Sequence, residues 1–569
     1  MLNLGLQISS RATVALQWPA AFVVRSYHSD TGVKQQLGTS VGDKKNEAVI
    51  KIPHRMQRRI ETVQQLKHKK VGKVTTTRAG KQLIVSKNSK FNQPASYTVG
   101  KFDQPVLASK GWKHNKSFGD YFIINNTQST PPFVNAEKNK TDKETESIKR
   151  TFQSLGLCPE LTSALQSVGI VHPTIVQLQT IPNLLRGKNV LCAAETGSGK
   201  TLCYLLPIIH KLQADRVQGW EPKGIAAQSI VLVPSRELAD QIKAVARPLC
   251  APFGLTVKAV GGGRGLGKIK LAFSSGTPEL IVATPGALWK AMQRKCVDLS
   301  SLGYCVLDEA DSLFDESFVN LVEKILSQTR VASSPTETKG IDRKSQLVVI
   351  GATFPGGVGE VLSQVTDLGS IVTVKSKNLH FLMPHVQQTF MKVRGADKLL
   401  ELLHVIQMSA ASGDNGGVLV FCNSSSTVNW LGYLLDDNKI KHLRLQGQMP
   451  AAMRAGIFRS FQKGLVNVLV CTDLASRGLD TKRVRTVVNY DFPLSHTDYI
   501  HRAGRVGRMG SSETGSVISF VTHPWEVELV QKIETAARKR TSLPGMESGI
   551  RKPVEEKDLI EFESNVKEE

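Results

Sequence analysis

Three short stretches limit what this chain can be more than anything else in it. They are Ala194-Glu195-Thr196-Gly197-Ser198-Gly199-Lys200-Thr201, Asp308-Glu309-Ala310-Asp311, and His501-Arg502-Ala503-Gly504-Arg505-Val506-Gly507-Arg508. The first follows the apolar run Val190-Leu-Cys-Ala and opens a helical pattern. Gly197 and Gly199 let the backbone curl so that successive N–H groups point at phosphate oxygens, at the positive end of a helix. Lys200 is placed to reach the β- and γ-phosphates, and Thr201 to offer its hydroxyl to Mg²⁺. The general pattern has Gly in the first place, where this chain has Ala194.

Asp308 and Glu309 end a second apolar run, Tyr304-Cys-Val-Leu, so both carboxylates emerge at the carboxyl edge of a strand, where open α/β sheets bind ligands. Asp308 suits Mg²⁺ held through water, and Glu309 suits the removal of a proton from an attacking water. Read alone, the third stretch would be a solvated basic patch. Its arginines recur every third residue (502, 505, 508), which predicts that they project on one side of a helix or turn. Arriving from a second domain, they can stabilise charge on a departing phosphoryl group. Together the three stretches outline a nucleoside triphosphatase whose site is split between two domains.

The length of 569 residues is too great for a single core and predicts more than one domain. With 73 Lys+Arg against 49 Asp+Glu, the formal charge is +24, which favours a polyanionic partner, nucleic acid before membrane. No run approaches about 18 consecutive apolar residues, so membrane insertion is not expected. The eight cysteines are scattered without Cys-x-x-Cys or zinc-ligand spacing and read as small core residues in a reducing compartment.

Residues 1–27 have Arg11 and Arg25, several Ser and Thr, and no acid, the composition of a mitochondrial transit peptide with cleavage after Tyr27. Residues 28–145 read as a basic, largely disordered, RNA-binding extension. Within 51–90 there are twelve Lys/Arg and one acid, Glu61, and apolar residues at helical spacing predict a basic amphipathic helix over 54–70. Such runs also suit a nuclear or nucleolar address alongside the mitochondrial matrix. From about residue 150, β-branched runs alternate with amphipathic segments, which predicts parallel sheets with crossover helices. Strands are expected at 229–233, 280–283, 304–307 and 347–350, and again at 418–421, 442–445, 468–471, 485–489 and 517–521. This α/β pattern divides into domains at 146–376 and 387–533, a linker at 377–386 and a mobile tail at 534–569.

With these stretches in order, the chain resembles the DEAD-box ATP-dependent RNA helicases over roughly residues 150–525. Phe152 with Gly169-Ile-Val-His-Pro173-Thr174-Ile-Val-Gln177 resembles the family's Q motif, in which the aromatic stacks on adenine and the Gln reads its edge. Pro234-Ser-Arg236-Glu237, Gly262-Gly263 and Thr284-Pro285-Gly286 resemble the first-domain contacts to the RNA backbone. Phe421-Cys-Asn423-Ser424, Gln446-Gly447 with Arg454, and Thr472-Asp473 resemble those of the second domain. Ser476-Arg477-Gly478-Leu479-Asp480 resembles the segment whose Asp binds the ribose. Gly351-Ala352-Thr353 and His501 stand where the family couples hydrolysis to strand separation.

The resemblance implies two tandem RecA-like domains, ATP and Mg²⁺ as ligands, and RNA held by phosphate and 2′-OH with little sequence preference. It implies a core that acts as a monomer and unwinds or remodels RNA locally. Mitochondrial ribosomal RNA and assembly intermediates are the expected partners. Two departures stand out. Gly351 replaces a customary Ser, removing one hydrogen bond worth about 0.5–1.5 kcal/mol, and Ala287 replaces an Arg that commonly follows Thr-Pro-Gly. They open a rival reading, an ATP-gated RNA clamp that unwinds poorly. A DNA helicase or a protein-remodelling ATPase would share the phosphate loop, but Phe152, Gln177 and Thr284-Pro285-Gly286 argue against both.

Overall fold

The computed structural model describes residues 81–100, 102–125, 151–195, 197–219, 224–262, 266–340, 342–354, 358–376, 379, 386–411, 416–447, 449–473, 481, 483–507 and 515–543. The transit peptide, the helix expected at 54–70, and Thr196, Gly263, Asp480 and Arg508 lie outside the described residues.

Strands in chain order are β1 (Gln82–Ser86), β2 (Gln93–Pro94), β3 (Tyr121–Ile124), β4 (Val190–Ala193), β5 (Ser229–Leu232), β6 (Val257–Val260), β7 (Leu280–Ala283) and β8 (Tyr304–Leu307). They continue with β9 (Gln346–Gly351), β10 (Val372–Lys375), β11 (Gln387–Lys392), β12 (Gly417–Phe421), β13 (His442–Leu445), β14 (Val468–Cys471), β15 (Val484–Asn489) and β16 (Ser516–Val521). One sheet has the order β10-β4-β9-β8-β5-β7-β6 and is parallel throughout. Its inner strands are buried at every position because helices cover both faces, which is why they read as unbroken apolar runs. Six of the eight cysteines are buried in such runs and helices, and all eight are free thiols.

The second sheet has the order β13-β14-β12-β15-β16-β11-β3-β1-β2. From β13 to β11 it is parallel, and then it turns antiparallel where β3 pairs with β11, Phe122 opposite Phe390. The sequence reading is corrected here. The extension expected to run to residue 145 contains three strands that complete the second domain's sheet. Phe122 stacks on Phe390 with ring centroids 4.8 Å apart, and Trp112 packs 5.5 Å from Phe122. Both are among the largest fully buried side chains.

The tail expected from residue 534 is corrected for the same reason. The last helix, Glu526–Lys539, runs through it, and Glu534 and Arg538 are buried against the N-terminal segment. Glu534 accepts hydrogen bonds from the amides of Ala108 (2.7 Å) and Ser109 (3.0 Å), from the Ser109 hydroxyl (2.6 Å) and from Arg538. Arg538 also donates to Phe91 O at 2.8 Å. A buried carboxylate is tolerated only when satisfied to this degree.

Among the described residues no helix is long and apolar enough to cross a membrane. The domain core therefore includes residues 81–125, and Trp112→Ala is expected to cost about 3–5 kcal/mol through the cavity it leaves. Urea unfolding followed by tryptophan-independent probes checks this; an unchanged midpoint would mean that the segment is an appendage.

Candidate nucleotide and RNA site

β4 feeds directly into the phosphate loop, and the helix Lys200–Val217 starts from Gly199, whose φ is +86°. A Cβ at Gly199 would lie 2.6 Å from Gln177 Nε2 and 3.3 Å from Thr174 Cγ2, so glycine is required by space as well as by conformation. Lys200 Nζ donates to the carbonyls of Ala194 (2.7 Å) and Glu195 (3.1 Å), which fixes the ammonium inside the loop. Glu195 in turn accepts from the Ser376 hydroxyl at 2.8 Å, tying the loop to the end of the first domain.

Gln177 closes a capping box with Thr174 at the start of helix Ile175–Leu185, and its Nε2 donates to Gly199 O at 3.0 Å. Its carboxamide is thus engaged at both ends, and reading a base edge would use its second N–H and second lone pair. Phe152 does not fit its expected role. It is 3% exposed and packed in the first domain's core, so it presents no free face for stacking.

Asp308 leaves β8 buried, accepting from the Tyr204 hydroxyl at 2.8 Å and from the Glu309 amide at 2.9 Å. Thr201, the other predicted Mg²⁺ residue, lies close enough to act on the same phenol, which burial and the Asp308 charge push well up. Tyr204 went unnoticed in the sequence, where it reads as one more apolar position of a buried helix. Burial, reinforced by the adjacent Glu309 charge, pushes the Asp308 carboxyl up to about 6.

Glu309 has φ +52° and ψ +52°, a left-handed conformation costing a non-glycine residue about 1 kcal/mol or more. The helix Ala310–Leu313 holds it there, with Ser312 and Leu313 donating to its carbonyl at 2.8 and 3.1 Å. Its Oε2 is buried and has no hydrogen-bond partner. Hard oxygens gathered beside an ammonium, with one carboxylate oxygen left unsatisfied, fit a nucleoside triphosphate carrying Mg²⁺, which needs only one or two protein oxygens.

Asp311 joins the two domains. One of its oxygens faces His501 Nε2 at 3.0 Å and accepts the Ala352 amide at 3.3 Å. Burial alone would raise its carboxyl, but His501, Lys200 and the Ala352 amide outweigh it and hold the group down at about 2. A second bridge, Arg454 to Glu237 at 3.4 Å, crosses the same divide. Arg505 is 4% exposed, donates from Nε to His501 O at 3.1 Å, and has its carbonyl held by Thr481 at 2.6 Å. Burial lowers its guanidinium, and the charge of Glu309 leads the forces opposing that change.

The expected alignment of Arg502 with Arg505 is corrected. The helix His496–Ala503 ends between them, so the two side chains part. Arg502 turns into the second domain, where it makes a bidentate pair with Asp473 (2.7 and 2.6 Å) and donates to Asn423 Oδ1 (2.6 Å) and Asp491 O (2.7 Å).

The residues predicted to touch RNA stand at the carboxyl ends of their strands. After β6, the Gly262 amide donates to Thr284 Oγ1 at 3.2 Å, joining two predicted contacts. Arg236 lays its stem across Gly261, where a Cβ would come within 2.3 Å of it. Pro285 and Gly286 begin the helix Pro285–Gln293, and Ala287 is 2% exposed in its first turn. The missing Arg at 287 is therefore a core position in this chain. In the second domain Asn423 follows β12, half-buried Gly447 follows β13, and buried Thr472 follows β14. Asn423 is held by Asp491, Phe492 O and Arg502.

The raised Asp308 carboxyl makes a signed prediction. Its protonation stabilises the fold below its ordinary value of 3.8, and that contribution is lost as pH rises through about 6. Asp308→Asn should therefore be more stable than the parent at pH 7.5, on the order of 3 kcal/mol, with the gap closing near pH 4. Thermal melts across this window check it; a less stable variant at pH 7.5 would show that the charge is welcome where it sits.

Comparison with known proteins agrees with this geometry. The DEAD/DEAH box helicase domain matches residues 174–361 and the helicase conserved C-terminal domain matches residues 396–510. The probable ATP-dependent RNA helicase DDX28 of Homo sapiens is 49% identical over 517 residues, covering 89% of this chain and 93% of that protein. Its Mus musculus counterpart is 50% identical over 524 residues, covering 91% and 95%. Among solved structures, S. cerevisiae Dbp5 bound to RNA and ADP BeF3 superposes with a TM-score of 0.57 at 25% identity, over 74% of this chain and 99% of that one. The chain belongs to the DEAD-box family and is an ATP-dependent RNA helicase, an RNA-dependent ATPase built on two RecA-like domains.

Proposed function

We propose that the enzyme remodels structured RNA locally by closing its two domains on ATP and RNA together, and that it does so in mitochondria during ribosome assembly. The observation that carries the mechanism is the junction at which Asp311, on the turn that bears Asp308 and Glu309, meets His501, whose carbonyl receives buried Arg505. Glu309 takes the proton of the attacking water, since its Oε2 is buried without a hydrogen-bond partner. Arg505, with Arg508, meets the charge that develops on the γ-phosphoryl group. Thr201 and Asp308 would hold Mg²⁺, which when bound neutralises phosphate charge and orients the triphosphate. Asp311 links the Ala352 amide to His501, so a change at either partner is felt at the other. Opening after hydrolysis would separate His501 from Asp311 and Arg454 from Glu237.

The mitochondrial reading is supported by the acid-poor, Arg- and Ser-bearing residues 1–27, and ribosome assembly by the +24 charge, which suits structured RNA. Depletion that leaves mitochondrial ribosomal subunit profiles unchanged would remove ribosome assembly from this proposal. ATP hydrolysis by the full chain, with and without single-stranded RNA, tests the mechanism. RNA should stimulate turnover, and Glu309→Gln should abolish that stimulation while retaining ATP-dependent RNA binding.

The clamp reading draws on Gly351. A Cβ there would lie 3.0 Å from Thr353 O and 3.3 Å from the buried Phe354 ring, so the segment is packed around the absence of a side chain. Gly351→Ser should lower the melting temperature and leave the ATP used per duplex released unchanged. A marked gain in duplex release by the variant would favour the clamp.

A further inference from the structure

The carboxyl edge of the second sheet continues past the helicase motifs. Beyond β12 and β15, whose ends carry Asn423 and Asp491, come the ends of β16 and β11 and the start of antiparallel β3. Because β3 runs backwards, the turn before it stands at this same edge: the Gly119 amide donates to Lys392 O at 2.8 Å, and the Lys392 amide to Asp120 O at 2.9 Å. Three features meet there.

His523 and Trp525, just past β16, stack face to face with centroids 4.0 Å apart and planes 6° apart, and Trp525 is 67% exposed. Glu526 fixes their turn by accepting the Thr522 and His523 amides on one oxygen, Oε2, at 2.6 and 2.8 Å. Arg394, exposed just past β11, lies over the Phe118 ring at 5.6 Å, and Lys116 is exposed on the turn that delivers that ring. Gly395 comes to the Thr522 side chain, where a Cβ would be 3.9 Å away, and Lys392 Nζ donates to Thr522 O at 2.9 Å, which binds the two halves of the patch together. Of the nearby acids, Asp120 pairs with Lys87 at 3.2 Å, and Asp397 is exposed on the turn after Arg394.

We propose that this surface is a second RNA contact, in which Trp525 stacks on a base and Arg394 with Lys116 holds phosphates of the strand after it leaves the core. A rigid, exposed aromatic beside cations is the chemistry of single-strand binding without sequence choice. Three strand spacings of about 4.8 Å each put the Arg394 end about 14 Å from the Asn423 end, a short extension of the same track. Neither the resemblance to the family nor the core contacts call for these residues, and Lys116 and Phe118 reach this edge only because residues 81–125 belong to the sheet.

The proposal rests on RNA passing over the second-domain motifs, and the test separates the two. Binding of the full chain with a non-hydrolysable ATP analogue is measured for single-stranded RNAs of about 6 and about 20 nucleotides. The parent should prefer the longer RNA. Trp525→Ala should weaken only the longer one, by about fivefold or more, with Trp525→Phe restoring most of the loss. Arg394→Ala should lower the salt slope for the longer RNA by about one. ATPase turnover saturated with the short RNA should be unchanged in all three. Variants that bind both lengths as the parent does would overturn the second contact and leave the core reading intact. Equal losses at both lengths, with a lowered melting temperature, would show a structural role and overturn it too. A parent that binds neither length would sink the core reading and this proposal with it.

Discussion

A single carboxylate, Asp311, governs the closed arrangement. Buried carboxylates are costly unless ion-paired and hydrogen-bonded; Asp311 has the Ala352 amide within its own domain and gains its ionic partner, His501, only when the domains meet. Everything chemically significant lies within a few residues of that contact. Asp308 and Glu309 precede it on the same turn, Lys200 adds to the positive charge around it, and Arg505 follows His501 by four residues, just past the end of the helix. The residues proposed for catalysis and the domain interface therefore share one electrostatic core. Arg502 supports it from behind by locking Asp473, Asn423 and Asp491 into one network.

Much of this was legible before any coordinates. The inner parallel strands could be read because helices on both faces force them to be apolar throughout, and β7, β8 and β14 have the bounds their runs predict; β13 does too, although it is an edge strand with half-buried His442 and Arg444. The edge strand β6 and the linker-proximal β10 and β11 were harder, because polar residues such as Lys258, Lys375 and Gln387 interrupt their apolar pattern. Spacing placed Phe152 in its motif but said nothing of burial, and burial decides what an aromatic ring can touch. The three-residue rhythm of Arg502 and Arg505 predicted one face; the end of the helix at Ala503 gave them two separate tasks. Asp311 was in view as the last letter of its motif, yet its role depends on a histidine arriving from another domain.

The N-terminal strands show where local reading runs out altogether. β1 and β3 are short, lie among basic and polar residues, and bury their apolar positions against a sheet built from residues far along the chain. Gln93 donates to a carbonyl 445 residues later, at Arg538. No window of sequence contains both halves of such an interaction. The clue was weaker and chemical: Trp112 and Phe122 sit in a segment otherwise rich in lysine, and large aromatics in such company need somewhere to be buried.

That arrangement has a consequence for the birth of the protein. A ribosome delivers β1–β3 first, then the whole first domain, and only afterwards the strand that β3 pairs with. Throughout that interval Trp112 and Phe122 have no core to enter, while the first domain, whose hydrophobic core lies within 152–379, can already fold. The second domain is thus the last part of the molecule to become whole although it was the first to be begun. Any chaperone that shields nascent aromatic surface has its longest engagement at the beginning of this chain.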